Sequence, residues 1–128
     1  MTAQPSILVV DDELLIRDLL YDFFTGQGWA ISVAENGQKA LDILRQKKVD
    51  LVLTDLKMPH MDGIDLTTKV RQDYPDIPVV VMTGYPSVES AVAALRQRVA
   101  DYITKPFNIN ELCKSIETQL ERRQQSGK

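Results

Sequence analysis

Three runs of the sequence, ILVV at 7–10, LVL at 51–53 and VVVM at 79–82, are apolar at every position. A strand with one wet face alternates, so continuous runs this short belong to strands covered on both sides. With two weaker runs they give five strand candidates: Ile7–Val10, Ala30–Val33, Leu51–Thr54, Pro78–Met82 and Asp101–Thr104. The stretches between them carry helical spacing. Leu15, Ile16, Leu19, Leu20, Phe23 and Phe24 mark one helix, closed near Gly26 and Gly28. Ala40, Leu41 and Leu44 mark a second, opened by Asn36-Gly37, and Leu66 and Val70 a weaker third. Val88, Ala91, Val92 and Leu95 share one face of a fourth. The last helix starts most clearly: Asn108 is an N-cap, Glu111 completes a capping box, and Phe107 and Leu112 form a hydrophobic staple. Its inner face is Ile109, Leu112, Cys113, Ile116 and Leu120. Alternation of five strands with five helices predicts an α/β domain with a parallel sheet covered on both faces.

Length and composition exclude more than they assign. At 128 residues the chain is one domain with one sizeable core. A net charge of −3 gives no general attraction to nucleic acid or anionic lipid. No apolar run approaches the ~20 residues of a membrane span, and the start MTAQPS lacks a signal h-region. A single cysteine forms no internal disulfide, so the reading is a cytoplasmic protein. Residues 1–5 are expected to be a disordered N-terminus, 6–121 the domain, and 122–128 a polar tail or linker start.

Function enters with the strand ends. Ligands of open α/β sheets bind outside the carboxyl ends of the strands. There the sequence places Asp11 and Asp12 after ILVV, Asp55 after LVLT, Thr83 after VVVM, and Lys105 after DYIT. Each has an ordinary explanation alone, since Asp after a strand forms turns or caps helices, Thr83-Gly84 suits a turn, and Lys105 suits a wet loop. Together they require five coincidences. Unit charges ~5 Å apart repel by roughly 3 kcal/mol at an effective dielectric of 20, so three close carboxylates need cations. Lys105 supplies one charge, and Mg2+, a hard ion that favours oxygen, supplies two more; there is no Cys/His cluster for zinc. Carboxylate, Mg2+, lysine and hydroxyl together suit phosphoryl transfer onto an aspartate, with Asp55 the preferred nucleophile.

The ordered set VVDDE (9–13), DLKMPHMDG (55–63), MTGY (82–85) and DYITKPF (101–107) resembles the receiver domain of bacterial two-component response regulators, chemotaxis regulators among them. The likeness spans about Ile7 to Leu120. It implies the flavodoxin-like strand order 2-1-3-4-5. It implies that Asp55 accepts a phosphoryl group from a sensor histidine kinase or a histidine phosphotransfer protein. Mg2+ would be held by Asp12, Asp55 and the Lys57 carbonyl directly, and by Asp11 mostly through water. Lys105 and Thr83 would contact the phosphoryl group, and Tyr102 would turn inward as Thr83 moves. The Lys105–Pro106 bond would be cis. The fourth helix, fifth strand and fifth helix would form the switching face. The implied partners are the phosphodonor and a downstream effector, with homodimerisation on phosphorylation open and with no direct nucleic-acid or membrane binding.

Three departures from the family pattern stand out. Arg98 occupies the usual glycine position ending the fourth helix, where a left-handed cap would strain it. Lys39 replaces a common acid in the stretch NGQKAL. Lys57 and Tyr85, each two residues after a site residue, flank the path of hydrolytic water and are expected to shield the acyl phosphate. His60, Cys113, Trp29, Met58 and Met61 read as structural. Two other classes compete. A haloacid-dehalogenase-type phosphatase would carry a second acid where Lys57 stands. A pure interaction module would not need the complete set of five pocket residues.

Overall fold

Each apolar run forms a strand in the computed structural model, which describes residues 4–126. The strands are β1 (Ser6–Val10), β2 (Ala30–Ala34), β3 (Leu51–Asp55), β4 (Val79–Thr83) and β5 (Asp101–Thr104). They alternate with α1 (Leu14–Gly26), α2 (Gly37–Gln46), α3 (Gly63–Asp73), α4 (Val88–Arg96) and α5 (Ile109–Ser126). The sheet is wholly parallel, in the order β2-β1-β3-β4-β5. The expected strands hold to within one residue at each end, and Asp55 and Thr83 prove to be the last residues of their strands rather than the first of their loops.

Alternate residues of the central strands feed two cores, as the pleat requires. Leu8, Val10, Val52, Val79 and Val81 pack with α2, α3 and α4. Ile7, Val9, Leu51, Leu53, Val80 and Met82 pack with Leu20 and Phe24 of α1 and Leu112, Cys113 and Ile116 of α5. Trp29 lies in this second core with its ring 5.4 Å from that of Phe24.

Asn36 caps α2 by accepting the Lys39 amide, and Asp62 caps α3 by accepting that of Asp65. Asn108 accepts the amides of Asn110 and Glu111 at the start of α5. The expected inner face of α5 points inward, with Leu112, Cys113 and Ile116 buried and Ile109 and Leu120 half-buried.

Two faces point the other way. Val88, Ala91, Val92 and Leu95 share one side of α4, but that side faces water, and Ala94 is the buried residue. Leu15 and Leu19 of α1 are exposed as well. Periodicity tells which residues share a face, not which face meets the sheet. Arg98 ends α4 with φ +58°. Its amide bonds the Leu95 carbonyl and that of Val99 the Ala94 carbonyl, which is the Schellman pattern glycine usually closes. The expectations for residues 1–5 and 122–128 fall partly on residues 1–3 and 127–128, outside the described residues. Within them α5 continues through the polar stretch to Ser126.

Candidate functional site

The register brings the strand ends level. Val10 lies beside Thr54, Asp55 beside Met82, and Thr83 beside Thr104. Asp11, Asp55, Thr83 and Lys105 therefore share the carboxyl edge of the sheet. Asp11 is fully buried and tied down: its amide donates to the Ala34 carbonyl (3.1 Å) and its Oδ1 accepts the Glu13 amide (2.9 Å). Asp55 is 5% exposed, whereas Asp12 is open to water. Carboxylate oxygens of Asp11, Asp12 and Asp55 lie within 4.8 Å of one another.

Lys105 reaches into this cluster. Its Nζ lies 3.0 Å from Asp11 Oδ2, 3.4 Å from Asp55 Oδ2 and 3.7 Å from Glu13 Oε1. Burial disfavours its ammonium, but the hydrogen bond and charge of Asp11, then Asp55 and Glu13, more than offset that, and its pKa is raised. Asp55 shows the converse. Burial, followed by the charge of Asp11, pushes its carboxyl up to about 6, with Asp12 adding to the rise and Lys105 opposing it. Three acids facing one lysine are short of positive charge. An oxygen-lined cluster with that deficit fits a hard divalent cation such as Mg2+.

The surrounding residues shape the pocket. Thr83 is buried, and its Oγ1 accepts the Tyr85 amide at 3.0 Å. Lys105 donates its amide to the Thr83 carbonyl (2.7 Å), and the Lys105–Pro106 peptide is cis. Lys57 is exposed and Tyr85 is 76% exposed. Tyr102 is half-buried, its hydroxyl 2.7 Å from Ser90 Oγ, a residue of the α4 capping box. His60 is exposed with φ +69°, Met58 is buried, and Met61 packs on Gly37 of α2. Lys39 pairs with Glu35, whose carboxyl it holds below the usual range.

Sequence reasoning passed over three neighbours. Gly63 donates its amide to the Leu56 carbonyl, and a Cβ there would stand 2.4 Å from the Asp55 carbonyl oxygen. The glycine after the Asp62 cap was a usable signal for such close approach. Ser90 and Arg17 lie on helices among ordinary polar residues and carried no pattern. Arg17 donates to the Asp11 carbonyl at 2.7 Å.

The model of the "Response regulator receiver domain" family matches residues 7–117, most of the chain. The chain belongs to the response regulator receiver family. Among curated relatives, the regulatory protein AtoC of Escherichia coli K12 is 44% identical over 112 residues, covering 88% of this chain and 24% of AtoC. A CheY-like receiver from Methanospirillum hungatei superposes with a TM-score of 0.94 at 28% identity, covering 97% of this chain and 99% of the other. The response regulator TrrA of Thermotoga maritima, solved in complex with Mg2+–BeF, gives a TM-score of 0.83 at 32% identity, covering 91% and 99%. The receiver spans about a quarter of the length of the curated relatives it matches. It is thus a phosphoacceptor signalling domain of two-component systems, a class that works between a phosphodonor and a downstream effector. Among the described residues, no helix is long and apolar enough to cross a membrane.

Proposed function

We propose that Asp55 is the phosphoacceptor of this receiver and that Asp11, Asp12 and the Lys57 carbonyl complete a Mg2+ site with it. The observation that carries this reading is the convergence of three acids, their oxygens within 4.8 Å of one another at the sheet's edge, with the half-buried Lys105 paired to Asp11 and Asp55. When bound, Mg2+ neutralises charge on the transferring phosphoryl oxygens. Asp55 attacks the phosphorus of a phosphohistidine on a histidine kinase or phosphotransfer protein. The new O–P bond forms as the P–N bond breaks, and the imidazole leaves with the electron pair. Lys105 then shifts its contact from the Asp55 carboxylate to a phosphoryl oxygen, and the Thr83 hydroxyl, free to donate, bonds another. Asp55, rigid at the end of a buried strand, is presented without rearrangement.

The switching face is the α4-β5-α5 surface. Tyr102 of β5 is joined to the α4 cap through Ser90, so a displaced Thr83 and Tyr102 carry α4 with them. The exposed apolar side of α4 is available to an effector or a second copy of the chain. Lys57 and Tyr85 shield the acyl phosphate from water.

Incubation with acetyl phosphate and Mg2+, followed by intact-mass measurement, is expected to add one phosphoryl group to wild type and none to Asp55→Asn. An unlabelled wild-type protein rejects the phosphoacceptor reading and favours a phosphorylation-independent interaction module. Turnover of small phosphate esters without accumulation of phosphoprotein favours a phosphatase instead. For the shield, phosphate lifetime is expected to shorten in Lys57→Ala, and an unchanged or longer lifetime rejects it.

A further inference from the structure

Arg17, in the second turn of α1, has no part in the phosphoryl chemistry above, yet it touches the backbone from which the acids project. Its Nη1 donates at 2.7 Å to the carbonyl oxygen of Asp11. The sheet leaves that oxygen unused, since β1 pairs with β2 and β3 only as far as Val10. With Arg17 in place, every polar group of Asp11 is engaged. The amide goes to Ala34, Oδ1 to Glu13, Oδ2 to Lys105, and the carbonyl to Arg17.

Asp12 differs from its neighbour. It is exposed, and Lys105 reaches Asp11, Asp55 and Glu13 but not Asp12. Its carboxylate nonetheless lies in the 4.8 Å cluster with Asp11 and Asp55. What places it there is the backbone. The Asp11 carbonyl and the Asp12 amide belong to one planar peptide unit, so a donor anchored on the carbonyl oxygen fixes the rotation of the plane from which Asp12 departs. Arg17 is itself held in the frame of α1, its amide bonded to the Glu13 carbonyl. The guanidinium thus ties the loop carrying both acids to a helix packed on the sheet.

We infer that Arg17 is a positioning residue of the cation site, orienting the Asp11–Asp12 peptide so that the Asp12 carboxylate faces Asp55. This rests on the reading that the three acids hold Mg2+. Outer contacts of this kind commonly set metal affinity by about 10–100-fold. Because the peptide plane and not a ligand is lost, Arg17→Ala is expected to weaken the site without abolishing it.

The test is calorimetric titration of Mg2+ into wild type, Arg17→Ala and Arg17→Lys, paired with acetyl phosphate labelling rates across Mg2+ concentration. Arg17→Ala is expected to raise the Mg2+ Kd about tenfold, with the labelling rate at saturating Mg2+ returning to that of wild type. Arg17→Lys, which keeps a donor, is expected to recover most of the affinity. A simple loss of structure would lower the saturating rate as well, and that result overturns the assignment. The titrations are repeated at high KCl, where a through-space charge effect fades. Loss of the Arg17 charge alone would tighten Mg2+ binding, so an Arg17→Ala Kd that lies below that of wild type at low salt and returns to it at high KCl shows that only the charge acts, and overturns positioning. Saturable binding in wild type with an unchanged Kd in Arg17→Ala overturns the role of Arg17 alone. No saturable binding in wild type overturns the cation site and with it this role.

Discussion

Asp55 sits where the fold least favours its charge, and that has a measurable sign. Its carboxyl is pushed up to about 6 from 3.8, by burial first and by Asp11 second. A folded-state pKa above the unfolded one means that the folded protein binds more protons between about pH 4 and 6. Stability therefore falls as pH rises through that window. The shift corresponds to at most about 3 kcal/mol, reduced by water at the pocket mouth. Asp55→Asn removes the charge at nearly constant volume. In EDTA at pH 7 it is expected to be more stable than wild type by about 1–2 kcal/mol in urea melts, with the gain vanishing near pH 4. A less stable variant at pH 7 contradicts this account of the strain. Gly63 constrains the same residue from behind. A methyl there meets the Asp55 carbonyl and the Leu56 Cα, both backbone atoms that cannot swing aside. Gly63→Ala is expected to cost about 1–3 kcal/mol and to slow labelling of Asp55. Thermal melts and labelling rates check the pair, and a neutral substitution shows that α3 can retreat.

At the scale of elements, α4 shows both what the sequence disclosed and what it withheld. Its existence and the companionship of Val88, Val92 and Leu95 follow from spacing, whereas its Ser87 cap emerged only with the structure. The direction of that face does not follow from spacing, because burial is set by the strands beneath and by what the helix leaves to a partner. The central strands were legible for the opposite reason: Leu51–Leu53 and Val79–Met82 are apolar throughout, so no choice of face arises. Asp11, Asp55, Thr83 and Lys105 were legible as a site because parallel register forces their strand ends to one edge. Arg17 and Ser90 were not, since a hydrogen bond to a backbone carbonyl or a tyrosine hydroxyl leaves no periodic trace. The end of α4 supplies a prediction. Arg98 holds φ +58°, a conformation costing an L-residue about 1–2 kcal/mol. Glycine would relieve that while adding about 0.5–1 kcal/mol of unfolded-state entropy. Arg98→Gly is thus expected to stabilise the protein by about 0.5–1 kcal/mol in chemical melts; destabilisation would show that the Arg98 side chain makes compensating contacts.

Across the whole molecule the sheet separates two polar assemblies. The acidic pocket occupies the carboxyl edge. At the other edge Asp50 accepts the Ser6 amide at 2.8 Å and the Arg123 Nη1 at 2.6 Å, while Arg123 Nε donates to the Asp76 carbonyl at 3.1 Å. That second assembly fastens α5 to the segments entering β3 and β4 and, through Asp50, to the start of β1. Five-residue strands hold the two about 16 Å apart, beyond the ~7–10 Å within which mutational effects usually couple. A close-packed core between them is expected to behave as a rigid spacer. Mg2+ at ten times its Kd should stabilise wild type by about 1.4 kcal/mol through linkage alone. Arg123→Ala should lower the baseline by about 1–2 kcal/mol, since it removes charged hydrogen bonds that are only half-buried. If the edges are independent, Mg2+ raises the stability of Arg123→Ala by the same increment as wild type, and Asp12→Ala loses the increment while keeping the Arg123 contribution. Urea melts of the three proteins with and without Mg2+ decide the matter. An increment that shrinks in Arg123→Ala means that the anchoring of α5 reaches the pocket through the sheet, and the two edges then act as one cooperative device.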